Sequence, residues 1–240
     1  MKTLIKLTTF LLLLVTTTSC FMDGLTGIKG NGDVVSEDRT ISSNFSEIKV
    51  QQGIQVYITQ GNSTELKVEA DENIIDILRT EVKNNKLNIY FDKNVYKAAS
   101  RKVYLTTSDI SKIETSSGAS VKTENTIETT ILELDSSSGS AIKMYVNADE
   151  ISSSSSSGAT INIYGKSKEF SAMASSGSSI DADKLETINA TAKVSSGANI
   201  DLNVSGKLIA KASSGGDIDY EGNPTEVNKD TSSGGSVSGS

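Results

Sequence analysis

Along most of the chain, apolar and polar residues alternate one for one. Runs such as Ile48-Lys-Val50, Ile54-Gln-Val56-Tyr-Ile58, Leu66-Lys-Val68, Leu87-Asn-Ile89-Tyr-Phe91 and Val103-Tyr-Leu105 put every second side chain on one face. A period of two is the mark of half-buried β-strands. Gly53, Gly61 and Asn84-Asn85 punctuate these runs as turns. One segment breaks the alternation. Ile74, Ile75, Ile77, Leu78 and Val82 cluster on one helical face, and Asp71 stands where an N-cap belongs, which predicts a short helix over 72–82.

From about Ser108 the alternation acquires a long period. Ser-Ser-Gly recurs with its glycine at Gly118, Gly139, Gly158, Gly177, Gly197, Gly215 and Gly234, at spacings of 21, 19, 19, 20, 18 and 19. A period near 20 with one strand signal per repeat predicts a solenoid. The alternative is Ser-rich disorder, which Ser152–Ser157 alone would suggest. Alignment on the glycine argues against it. Three residues later stand Val121, Ile142, Ile161, Ile180, Ile200, Ile218 and Val237, all β-branched and aliphatic. A low-complexity tract has no reason to hold such a column in register through variable spacings.

These columns predict an all-β fold, a parallel β-helix with one coil per repeat and strands stacked about 4.8 Å apart. The crossover rule makes it right-handed. Each Ser-Ser-Gly is then a corner, its glycine left-handed and both neighbours of the glycine pointing inward. Odd offsets from the glycine form the core and even offsets face out. In the seventh repeat Lys229 takes a column filled elsewhere by apolar residues, so that coil is expected to fray. The expected organisation is a signal peptide over 1–19, a tether over 20–29, an N-terminal part over 30–107, and coils of the same domain over 108–240.

Composition narrows the chemistry. The 240 residues include no His and no Trp, and aromatics make up 5%. Small and β-branched residues must therefore fill a thin core, and the commonest general base and metal ligand is missing. At the N-terminus Lys2 and Lys6 precede the short apolar run Leu4–Val15, then a polar stretch, Ser19 and Cys20. The run is too short for a membrane span and reads as an export signal. Cys20 is the single cysteine, so it has no intramolecular disulfide partner. A signal ending there predicts lipidation of Cys20 and a membrane anchor, although Thr17 replaces the usual leucine. Phe21, rather than Asp, directs the expectation to the outer membrane of the cell envelope. Removing residues 1–19 would deepen the net charge from −7 to −9, which disfavours nucleic acid as a partner.

The segment Gly30-Asn-Gly32-Asp-Val-Val-Ser-Glu37-Asp-Arg39, followed by Phe45-x-x-Ile48-x-Val50 and Gly53-Ile54-x-Val56-x-Ile58-x-x-Gly61, resembles the head GIN domain family. The resemblance runs on through the Ser-Ser-Gly array, over roughly residues 28–240. That family bears the label "putative auto-transporter adhesin". The resemblance implies an exported β-helical envelope protein with no established enzymatic activity, and it carries over no functional residues.

Candidate chemistry is sparse. Gly27-x-x-Gly30-x-Gly32 lacks the Gly-Lys-Ser/Thr ending of a phosphate loop and reads as a flexible entry to the first strand. Serines are plentiful, but without His a nucleophilic serine has no obvious base, and an active site is singular whereas these serines recur in every coil. Four residues after each glycine runs an outward column: Lys122, Lys143, Asn162, Asp181, Asp201, Asp219 and Ser238. Three aspartates on successive coils would lie about 5 Å apart. They are a candidate ligand-binding face for a carbohydrate or protein partner. Alternatively they form a carboxylate cluster of a polysaccharide-processing enzyme, or merely a solvated face. The arginines expected beside acidic sugars are absent from the array; Arg39, Arg79 and Arg101 all precede it. No cofactor or metal is called for, and the period rules out nonapeptide calcium repeats. Four residues before the glycine, Glu114, Asp135, Ser154, Met173, Lys193, Lys211 and Asp230 oppose the later column in charge in four coils.

The sequence thus predicts a non-catalytic, adhesin-like β-helical lipoprotein of the envelope. A polysaccharide-processing enzyme and a purely structural envelope protein are the alternatives.

Overall fold

The computed structural model describes residues 27–42 and 44–240, so the proposed signal peptide and Cys20 lie outside the described residues. The alternating runs form strands that stack in parallel as a β-solenoid. Each coil contributes a strand before its corner, a strand after it and a short third side.

The pre-corner sheet runs from Lys86–Phe91 through Glu47–Val50 and Lys112–Thr115 to Lys207–Ala212 and Glu226–Thr231. The post-corner sheet runs from Arg101–Thr107 through Gln55–Gln60 and Ser120–Thr123 to Asn199–Val204, Asp217–Glu221 and Ser236–Gly239. Between these, the long strands Ala141–Ser155, Thr160–Ala174 and Ser179–Val194 contribute to both sheets and to the third side. Val121, Ile142, Ile161, Ile180, Ile200 and Ile218 are buried, as the odd-offset rule requires, and Val237 is half-buried.

The corners are tighter than the sequence reading allows. Gly118, Gly139, Gly158, Gly177, Gly197, Gly215 and Gly234 are all left-handed, at φ between 67° and 77°. The serine before each glycine is left-handed too, from Ser117 at φ 53° to Ser233 at φ 49°. Two successive positive φ values with a bond such as Ala119 N–H to Ser116 C=O, 3.2 Å, make a type I′ turn. This corrects the expectation that both neighbours of the glycine point inward. The residue after it is buried, as at Ala119 and Ser140, whereas the serine before it is exposed. A double left-handed turn swings its first central residue outward.

Inward hydroxyls instead flank the turn. Thr115 Oγ1 donates to Ser136 Oγ at 2.9 Å, Ser136 and Ser140 hydroxyls lie 2.9 Å apart, and Ser178 Oγ donates to Ser155 C=O at 2.8 Å. Buried hydroxyls are costly without such partners.

The stack begins before the Ser-Ser-Gly array. Gln51-Gln52-Gly53-Ile54 is a corner of the same kind, with Gln52 at φ 59° and Gly53 at φ 69°, and Gly53 N–H donates to Ser117 C=O at 3.0 Å. Ile48, Val50, Val56 and Ile58 stand at the same offsets from Gly53 as Ile113, Thr115, Val121 and Thr123 do from Gly118.

Antiparallel strands close this end. Leu78–Lys83 pairs with Lys86–Phe91, Glu65–Asp71 with Arg101–Thr107, and Val34–Arg39 with Glu65–Asp71. The helix expected over 72–82 is therefore corrected to Glu72–Ile75 alone. Leu78 onward becomes a strand because the edge of Lys86–Phe91 supplies backbone partners, and Asn84 and Asn85, both left-handed, make the hairpin turn.

Asp71 makes no capping bond with its side chain. Its buried carboxylate accepts from the N–H of Gly32, Ala99 and Ser100, each at 2.9 Å. Burial alone would raise its pKa, but these three donors and nearby Arg101 hold it below the ordinary value. Gly30 sits against this carboxylate, where a Cβ would collide with it. The glycine segment is thus a fastened clasp, not a flexible entry, and Ile28–Lys29, placed in the tether by the sequence reading, pairs with Val95–Lys97.

The seventh repeat also departs from expectation. It keeps register, with Ile218 opposite Val237 and Ala210 opposite Lys229. Lys229 reaches across the end of the core, its amine 4.8 Å from the Tyr220 ring centre and donating to Val237 C=O at 3.2 Å. An inward charge at a sheet edge discourages edge-to-edge pairing.

Candidate binding face

The two outer sheet surfaces handle charge differently. On the pre-corner surface, opposite charges meet along the stack. Lys112 contacts Glu133 at 2.7 Å and Asp135 at 3.0 Å, while Lys86 contacts Glu114 at 2.8 Å and Glu47 at 3.1 Å. Glu133 and Asp135 hold the Lys112 pKa well above the ordinary lysine value, and Glu114 and Glu47 raise that of Lys86. Further along, Lys211 pairs with Asp230 at 3.6 Å. The charges of this surface therefore pair along the stack rather than across the corner.

On the post-corner surface the charges are segregated. The column predicted from the sequence, Lys122, Lys143, Asn162, Asp181, Asp201, Asp219 and Ser238, exists in register on successive coils, and the structure extends it back through Tyr57 and Tyr104. Its side chains are half-buried or exposed. The first half is aromatic and basic. Tyr57 stacks on Tyr104 with ring centres 5.3 Å apart, and Tyr145 on Tyr164 at 5.0 Å. Lys122 lies 6.0 Å from the Tyr57 ring, and Lys143 and Lys184 lie 5.6 and 5.8 Å from Tyr164. Such cation–ring contacts orient lysines on a surface without neutralising them; Lys122 also pairs with Glu124 at 2.9 Å, whereas Lys143 has no ion partner among the described residues.

The second half is acidic. Asp181, Asp201 and Asp219 are joined there by Asp183 and Glu221 around a shallow depression, with the charge of Asp217 nearby. Burial, with the added repulsion of Asp183, raises the Asp181 pKa; burial, then Asp181 and Asp219, raises that of Asp201. Among the described residues, none of Asp181, Asp201, Asp219 or Lys143 has an ion-pair partner within 4.0 Å. Among the described residues, no group of three or more His, Cys, Asp or Glu is arranged to hold a metal ion.

Sequence reasoning found the aspartate column but missed the tyrosine pairs. Tyr145 and Tyr164 stand at the same offset, six residues after Gly139 and Gly158, and that shared offset was the available signal. The seven array glycines are where they were expected, as corners, and none lines a pocket on this face.

The molecule is thus a capped parallel β-solenoid with one outer sheet whose charges mostly pair between coils and another whose acidic column has no ion partners. The chain belongs to the head GIN domain family, described as "Putative auto-transporter adhesin", whose model matches residues 44–224. It resembles a solved "putative adhesin" from Bacteroides fragilis NCTC 9343 at TM-score 0.84 and 20% identity, over 89% of this chain and 100% of that one. It also resembles a "putative adhesin" from Parabacteroides merdae ATCC 43184 at TM-score 0.73 and 18% identity, over 89% of this chain and 98% of that one. A third similar structure is a "putative lipid binding protein" from Parabacteroides distasonis ATCC 8503, at TM-score 0.73 and 20% identity, over 89% of this chain and 99% of that one. These likenesses show a shared fold. No curated protein matches the sequence. The names of the family and of these neighbours describe adhesion or lipid binding rather than catalysis.

Proposed function

We propose that this protein is a non-catalytic, adhesin-like binding module of the cell envelope, lipid-anchored to the outer membrane through Cys20, that makes contact through its post-corner sheet. The observation that carries this reading is the contrast between the sheets. On the pre-corner sheet, Lys86, Lys112 and Lys211 pair with acids of their own or neighbouring coils, while the post-corner sheet holds Asp181, Asp201, Asp219 and Lys143 in ordered columns without ion partners. Unpaired charges at a fixed spacing suit repeated contacts with a polar surface, carbohydrate or protein, in which many weak bonds act together. The family name supports the adhesive role, and the export signal ending at Cys20 supports the anchor.

A polysaccharide-processing reading draws on the raised Asp181 and Asp201, since a protonated carboxyl beside an ionised one can act as an acid–base pair. Against it, the aspartates lie on an open sheet with nothing to enclose a sugar ring. The triple variant Asp181→Asn/Asp201→Asn/Asp219→Asn separates the two. Binding predicts impaired attachment to glycans or cells, with no product released by the wild type. Reducing ends or unsaturated sugars released by the wild type and not by the variant would make the protein an enzyme. Cys20→Ser tests the anchor: it should free the protein from membranes or stall its processing, and full membrane retention after normal cleavage would sink that claim.

A further inference from the structure

The post-corner column has an internal symmetry. Counting outward from Asn162 in both directions, Lys143 answers Asp181, Lys122 answers Asp201, and Tyr57 answers Asp219. We propose that this face binds a second copy of the same chain, sheet against sheet with the solenoid axes antiparallel, about a two-fold axis passing at Asn162. The proposal rests on the reading of this face as the contact surface and names its partner.

A two-fold axis lying between the sheets and along the strands reverses the order of coils while keeping each residue in its own column. Lys143 then meets Asp181 of the second copy, and Lys122 meets Asp201, each pair occurring twice because the interface is isologous. Tyr57 meets Asp219, where a phenol O–H can donate to a carboxylate. The next column outward loses register at Asp183, so the pairing rests on this column alone. None of these juxtapositions brings like charges together, although the acidic half taken alone is strongly self-repelling. Asn162 faces itself on the axis. An amide carries both donors and an acceptor, so it can bond its own copy, whereas a charge there would repel itself.

The charge arrangement within one chain fits this partner. Lys143 has no ion partner among the described residues, and Asp181 and Asp201 have none either. Asp181 and Asp201 are held above the ordinary carboxylate pKa by burial and by neighbouring acids, a penalty that a lysine arriving from outside would relieve. From Tyr57 to Asp219 the face spans six coil steps, about 29 Å at sheet spacing. From Gln55 to Thr59, the outward neighbours on either side of Tyr57, its width is about 13 Å. The flat area is about 380 Å² per partner, below the roughly 800 Å² of a stable complex. The pairing is therefore weak in free solution, steered by charge and weakened by salt.

Charge-swap rescue tests the arrangement. Sedimentation of the soluble chain, measured up to its solubility limit at low salt, should show a concentration-dependent dimer that high salt dissociates. Lys143→Asp alone and Asp181→Lys alone each create two like-charge contacts and should weaken the dimer about tenfold or more. The double variant Lys143→Asp/Asp181→Lys restores opposite charges at both contacts and should recover most of the wild-type association. Lys193→Asp, on the pre-corner sheet, should change nothing. A chain that stays monomeric at every concentration overturns the proposal, as does a dimer indifferent to the single reversals or one that the double variant fails to rescue. Loss of glycan or cell attachment in the triple Asp→Asn variant of a strictly monomeric chain would leave the binding reading intact while removing the second copy as its partner.

Discussion

The N–H of Gly197 donates to the carbonyl of Ser214, 3.2 Å away on the next coil. The same bond links Gly118 to Ser138, Gly139 to Ser157, Gly158 to Ser176, Gly177 to Ser196 and Gly215 to Ser233, at 3.1–3.2 Å. The corner is therefore hydrogen-bonded along the stack as regularly as the sheets on either side of it. A double left-handed turn makes this possible by turning the peptide group between serine and glycine along the solenoid axis.

This geometry makes the corner sensitive to backbone preference and insensitive to volume. No atom lies within 4 Å of a Cβ built on Gly197, yet its φ is +67°. Gly197→Val should cost about 1–2 kcal/mol, the left-handed penalty of a residue with a Cβ. Gly197→Asn should cost distinctly less. Ser196→Asn, which creates the Asn-Gly pair favoured in such turns, should raise the melting temperature. Thermal melts of the three variants check this, and equal losses for Val and Asn would refute the conformational argument.

Inward and outward columns differ by one residue at Ile200 and Asp201. Ile200 is fully buried, so Ile200→Asp should cost about 3–5 kcal/mol. Asp201→Asn should act in the opposite direction and weakly. The folded chain holds the Asp201 proton more tightly than the unfolded chain does. Acidification through the raised folded pKa toward the ordinary 3.8 therefore adds stability to the wild type. The variant should melt slightly higher than the wild type at neutral pH, with the difference fading below pH 3.8. A variant that melts lower at neutral pH would mean the acidic column is already neutralised within the chain.

Asp71 has the reverse sign. Its folded pKa is depressed, so its contribution is complete above the ordinary 3.8 and is lost as pH falls through the folded value. Asp71→Ala would strand the N–H groups of Gly32, Ala99 and Ser100. A loss of about 2–5 kcal/mol at neutral pH is expected, along with early protection loss in hydrogen exchange at those amides. The gap between variant and wild type should narrow in strong acid. A variant as stable as wild type at neutral pH would show that the clasp contributes nothing.

Much of this was legible in the sequence because a solenoid repeats its evidence. The column Val121 to Ile218 fixes the core face, and the glycine spacing fixes the corners. The Gly53 coil was harder to see because Gln51-Gln52 replaces the serine pair. The same apolar offsets were present, but 65 residues separate Gly53 from Gly118, filled by the antiparallel cap strands and the first strands of each sheet, so no 20-residue period links the two corners. The false helix at 78–82 arose because Leu78 and Val82, four residues apart, satisfy a period of two as well as one of 3.6. Only the partner strand Lys86–Phe91 decides between them. For the face, the aspartates were visible in the sequence. Their lack of ion partners was not, because that depends on which neighbours the register brings within reach.

The central claim is that the post-corner sheet, and not the pre-corner sheet, makes contact with other surfaces. Beads carrying the protein through its N-terminus can be scored for attachment to one another and to bacterial or host-cell surfaces. The wild type would be compared with two variants of matched charge change, one replacing Asp181, Asp201 and Asp219 by Asn and the other replacing Glu133, Asp135 and Asp230 by Asn. The account predicts that attachment falls sharply in the first variant and is retained in the second. Attachment lost only in the second, or equally in both, would contradict it.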